Sequence, residues 1–130
     1  MNMNQPGAKH YQQMSVQTRI ADASPHQLIV MMFDGLLGRL AMAKGFIDRA
    51  DFEGKSKCLG AAITIVGGLQ NSLDLERGGE VAANLDRLYM YMTRRLFAAG
   101  VANDNEIIDE VISLLRTVKE GWDGIKDEVA

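Results

Sequence analysis

His10 and His26 are the only imidazoles in the 130-residue chain, and Cys58 is its only thiol. A zinc hydrolase would need two histidines four apart on one helix, and a di-iron bundle would need Glu-x-x-His pairs. Neither spacing occurs, so no metal or cofactor is expected. "GRLAMAKG" and "VGG" lack the pattern of a phosphate-binding loop, and no Gly-x-Ser-x-Gly elbow presents a nucleophile. The acids Asp74, Glu76, Glu80 and Asp86 read as helix-end and surface charge, not as an acid/base pair. One cysteine cannot form an internal disulfide, and Cys58 reads as a small buried thiol. His26, at the second position of a helix, reads as a solvated first-turn residue; a phosphoacceptor role would require it to be exposed. No enzyme is expected.

Whatever these residues do, long helices must position them. Both prolines, Pro6 and Pro25, lie in the first quarter of the chain, so nothing after Pro25 carries the strongest helix breaker. Ser24, Pro25 and Gln27 spell a capping box with proline at the first helical position, which predicts a helix from about Ser24 to about Ala50. "RADFEGK" is the turn after it. A second helix fits Glu53 to Leu75, with apolar residues from Leu59 to Leu73 at three- and four-residue steps. A third runs from Gly79 to a cap at Gly100, along the stripe Val81, Leu85, Leu88, Met92, Leu96 and Ala99. "NDNE" starts the fourth, with Asn103 as cap and Glu106 three residues on. Four helices with short connections predict an all-α, antiparallel up-and-down four-helix bundle. Residues 1–22 are expected to form a flexible N-terminal arm and cap segment, and 23–130 the bundle domain.

Composition excludes several partners. Fourteen Lys and Arg against seventeen Asp and Glu leave a net charge of −3 and no basic field for nucleic acid. The apolar stretch from Leu28 to Ile47 is interrupted by Asp34, Arg39 and Lys44, each costly in hydrocarbon, so no membrane span is expected. "MNMNQPGAKH" has no apolar signal region, and a cytoplasmic location is expected.

The informative feature is a surplus of apolar surface. On the first helix Leu28, Ile29, Met32, Leu36, Leu40 and Ile47 already supply the arc that a bundle helix buries, and Val30, Met31, Leu37 and Met42 lie outside it or at its margin. Met90, Tyr91 and Phe97 stand off the core stripe of the third helix. A surplus on two helices together points to a groove that buries another chain, and eight methionines suit adaptable contacts.

"RIADASPHQLIVMMFDGLL", "SLDLERGGEVAANLDRLYMYMTRRL" and "LLRTVKEGWDGI" resemble, in order and spacing, the FliS family of flagellar secretion chaperones. The resemblance runs from about Tyr11 to Ile125. It departs where Phe33 replaces the family's usual tyrosine before Asp-Gly and where Met90 replaces an aspartate between Leu-Tyr and Tyr-Met. It implies a cytoplasmic, ATP-independent chaperone that binds newly made flagellin through the flagellin's C-terminal segment, which is disordered in the free subunit and forms the helical core of the filament. It also implies an N-terminal cap occupying part of the binding surface until flagellin arrives, and delivery to the export gate; a secondary partner such as a flagellar anti-sigma factor is left open by the sequence.

Tyr11 stands at the family's N-terminal tyrosine and is a pocket-filling candidate on the cap. Leu28, Met31, Met32 and Leu37 on the first long helix, with Leu88, Tyr89, Tyr91 and Leu96 on the third, are groove candidates. Asp34 and Asn84 interrupt apolar helical surfaces and are candidates for cargo backbone groups or for bonds within the bundle; Asn84 matches the Asn of the family's "NL..LY" pattern. The expected state is a monomer or weak homodimer. The competing readings are a homodimeric bundle without a client and a helical phosphotransfer domain.

Overall fold

A computed structural model of the chain describes residues 22–124. Among these, four helices account for the architecture: α1 Pro25–Asp48, α2 Phe52–Asn71, α3 Gly79–Ala102 and α4 Asn105–Gly124. The capping box that opens α1 is complete, with the Gln27 amide donating to Ser24 Oγ at 3.1 Å and the Ser24 amide to Gln27 Oε1 at 2.9 Å. Ala50, with φ of 56°, reverses the chain. Asp51 then caps α2 by accepting the Gly54 amide at 3.0 Å. A side chain at Gly54 would put its Cβ 2.6 Å from the Phe46 ring, so this close crossing of α1 and α2 requires glycine.

α2 stops at Asn71, four residues before the expected Leu75. The Ser72 hydroxyl turns back onto the Leu69 carbonyl, and Asp74 organises the next turn by accepting the Gly78 amide on its carbonyl and the Arg77 amide on its carboxylate. Gly79, with φ of +54°, starts α3. α3 continues two residues past the expected cap at Gly100. Asn103, expected to cap α4, instead ends α3 in the left-handed conformation with φ 52°, its amide bonded to the Ala99 carbonyl. Asp104 takes over at α4, accepting the Glu106 amide at 2.9 Å.

α1 packs beside α2 and α4, α3 also packs beside α2 and α4, and α1 and α3 lie diagonally across the bundle. Successive helices run antiparallel. Along α1 and α4 the pairs Asp34–Lys119, Lys44–Asp109 and Asp48–Asn105 step in opposite directions through the sequence. The core is built from Phe33, Leu36 and Leu40 of α1, Val66 and Leu69 of α2, Met92 and Leu96 of α3, and Ile108, Val111 and Leu115 of α4, all at most 1% exposed. Cys58 is buried at its edge, as expected.

Tyr89 and Leu96 join this core, which corrects their reading as groove residues. Burial pushes the Tyr89 phenol up to about 12. The folded chain therefore holds this proton more tightly than the unfolded chain, and the resulting stability is complete below pH about 10 and lost as pH rises through about 12. Following phenolate absorbance with pH should show a tyrosine ionising near 12, and Tyr89→Phe should remove that late step.

Candidate interaction surface

Among the described residues no group of three or more His, Cys, Asp or Glu could hold a metal ion. His26 is not solvated, as its helix position had suggested, but 5% exposed. Its ring stacks on Trp122 with centroids 5.0 Å apart, Nε2 donates to the Trp122 carbonyl at 2.8 Å, and the indole N–H donates to the His26 carbonyl at 3.2 Å. This reciprocal clasp ties the start of α1 to the end of α4. It withdraws the exposed imidazole that a phosphotransfer domain needs.

The groove candidates separate into three groups. Leu28 is 39% exposed and belongs to the surface, not to the buried arc assigned to it from periodicity. Met31 is half-buried, while Met32, Leu37 and Leu88 are half-buried and rest against the core; the Met32 methyl lies over Gly68, where a Cβ would come within 2.8 Å. Tyr89 and Leu96 are core, so a partner reaches them only by opening the bundle. Tyr11 lies outside the described residues. The candidates on α1 and α3 lie on helices that are diagonal to each other and both pack beside α2.

The polar candidates are engaged within the chain. Asp34 pairs with Lys119 at 3.2 Å, and Asn84 accepts from the Arg87 guanidinium three residues on. Half-buried Tyr91 donates its hydroxyl to Glu110 at 2.7 Å, and Arg95 donates to the other carboxylate oxygen at 2.8 Å. The Arg95 bond, then the Tyr91 bond, hold the Glu110 carboxyl below its ordinary range; the bond to Glu110 raises the Tyr91 phenol. This places Tyr91 at a polar seam.

The four seams therefore differ in kind. Both seams of α4 are closed by ion pairs: Lys44–Asp109 and Asp34–Lys119 against α1, and Arg95–Glu110 against α3. The seams of α2 carry no ion pair among the described residues. On that side the exposed large apolar groups collect, with Leu28 and Met42 on α1, Phe52 at the start of α2, and Met90, Phe97 and Val101 on α3. Gly60 and Gly67, at outward positions of α2, face open space and keep its outer surface low between those two helices. Met42, Met90 and Phe97 had been noticed as off-stripe residues. Phe52 and Val101 had not, although helical geometry alone places Met90, Phe97 and Val101 within roughly 40° of arc.

Among the described residues the bundle is ion-locked along α4 and carries exposed apolar groups on the opposite side. The family model of the flagellar protein FliS matches residues 7–129. The chain belongs to the FliS family. It is 51% identical over 117 residues to the flagellar secretion chaperone FliSB of Pseudomonas aeruginosa, covering 90% of this chain and 93% of that protein. It is 44% identical over 125 residues to the flagellar secretion chaperone FliS of Salmonella typhimurium, covering 95% and 93%. The Bacillus subtilis FliS is 33% identical over 112 residues, covering 86% and 80%. FliS is a chaperone family and not an enzyme family. In this FliS bundle no described helix is long and apolar enough to cross a membrane.

Proposed function

We propose that this chain is a cytoplasmic, ATP-independent export chaperone that binds flagellin, mainly through its disordered C-terminal segment, prevents premature polymerisation and helps deliver it to the flagellar export gate. The observation that carries this reading is the apolar outer face of α1, with Leu28 39% and Met42 49% exposed, in a chain whose relatives are named flagellar secretion chaperones. A segment destined for a helical filament core exposes apolar stripes before it finds its neighbours, and an apolar helix face can shelter them. Met31 and Met32 extend that face, and a pocket-filling role for Tyr11 on the N-terminal cap belongs to the same proposal. Ordering a disordered segment costs entropy, so the contact is broad and modest in affinity per unit area. A flagellar anti-sigma factor is a secondary client of the same kind.

The test is to mix the purified chain with its flagellin. A soluble complex on gel filtration and slower filament growth are expected. Separate migration with unchanged polymerisation would remove the reading, and a concentration-dependent homodimer that persists beside flagellin would replace it.

A further inference from the structure

The outer face of α3 carries three apolar side chains that the bundle leaves uncovered: Met90, 46% exposed, Phe97, 61%, and Val101, 88%. Phe52, 48% exposed, belongs to the same end of the molecule. It lies 5.1 Å from the Lys55 ammonium, which crosses from α2 to the Gly100 carbonyl of α3 at 2.8 Å and to Asn103 Oδ1 at 2.7 Å. Leu28 and Met42 lie across α2 from the α3 residues, on α1.

The charge on this face is opposite to that of the chain. Arg87 and Arg94 project from the same side of α3 as Met90 and Phe97, both exposed, and neither meets a carboxylate within salt-bridge distance among the described residues. Arg87 is bonded only to the neutral Asn84 amide. Asp86, next to Arg87 in sequence, accepts from the Gln70 amide at 2.8 Å. An oily stripe flanked by two guanidinium groups without a salt-bridge partner among the described residues, on a protein of net charge −3, selects its occupant by sign. A second copy laid antiparallel on this face would set arginines against arginines, which opposes self-association.

We infer that the outer face of α3, with Met90, Phe97, Val101 and Phe52 as its apolar floor and Arg87 and Arg94 at its edge, is a second docking surface for an acidic amphipathic helix of a partner protein. From Met90 to Val101 the stripe spans about 16 Å, so three turns of partner helix cover it. Apolar side chains at three- and four-residue steps seat on the floor, and carboxylates two turns apart on the flank meet the two guanidinium groups, which are seven residues apart on α3.

The experiment uses the full chain and two synthetic helical peptides of about 18 residues with the same leucine stripe, one flanked by glutamates and the other by lysines. Titration calorimetry should show the Leu/Glu peptide binding about tenfold more tightly than the Leu/Lys peptide, with the preference fading at high salt. Phe97→Asp should weaken the Leu/Glu peptide about thirtyfold, and Arg87→Glu with Arg94→Glu should reverse the order of the two peptides. Leu28→Glu with Met42→Glu should leave this binding unchanged, even where it abolishes flagellin binding, so the two surfaces fail independently. Absence of binding, equal binding of both peptides, an order that survives the charge reversal, or loss through the α1 variant would each overturn the inference.

Discussion

Replacing Leu96 with alanine is expected to lower the unfolding free energy by about 3 kcal/mol, the usual cost of emptying a leucine site in a tightly packed core. Leu96 has no exposed surface and stands among Met92, Ala99 and the inward residues of the other three helices, so little can collapse into the space. For a chain of this length the loss corresponds to a melting temperature about 10 °C lower. Urea denaturation with an unchanged slope checks it, because the surface exposed on unfolding is nearly the same. A loss below about 1 kcal/mol would return Leu96 to the surface and with it the reading that it touches cargo. Flagellin affinity, measured where the variant is still folded, should be close to that of the parent.

The converse result is expected on α1. Leu28→Glu combined with Met42→Glu should weaken binding of the flagellin C-terminal segment about a hundredfold while stability changes by less than about 1 kcal/mol. Both side chains are already exposed at 39% and 49%, so a carboxylate at either meets water in the free chain and is stranded against apolar surface only in the complex. Calorimetric titration of the segment, with helicity and melting measured on the same variant, separates the outcomes. Unchanged affinity would move the cargo to another face, and collapse of the fold would make these residues part of the core. Together the two experiments exchange roles: one residue alters folding and spares binding, the pair alters binding and spares folding.

Tyr89 and Tyr91 show why the site was harder to read than the fold. They are two residues apart and thus about 200° apart on a helix, so one had to face inward. The choice depends on where α2 and α4 stand around α3. Tyr89 falls into the core between them, and Tyr91 falls at the α4 seam, where Glu110 and Arg95 hold its hydroxyl. The same dependence explains Asp34, whose partner Lys119 is 85 positions away in sequence, and His26, whose partner Trp122 is 96 away. Asn103 illustrates a local competition with the same lesson: it suits the end of one helix and the start of the next, and the Lys55 ammonium from α2 secures it for the first.

By itself the sequence determined the helices, their count, the capping box at Ser24 and Gln27, the exclusion of catalytic chemistry, and an excess of apolar residues over what four amphipathic stripes bury. Those are consequences of contacts within three or four residues or of composition, and both are present in the chain before it folds. Tertiary structure alone decided which apolar residues are the excess. With α1 and α3 on a diagonal and α2 between them, Leu96 and Tyr89 passed into the interior, and Phe52 and Val101 emerged at the surface. Inside and outside are relations between helices, set by which neighbours stand on each side, and no periodicity within one helix contains that information.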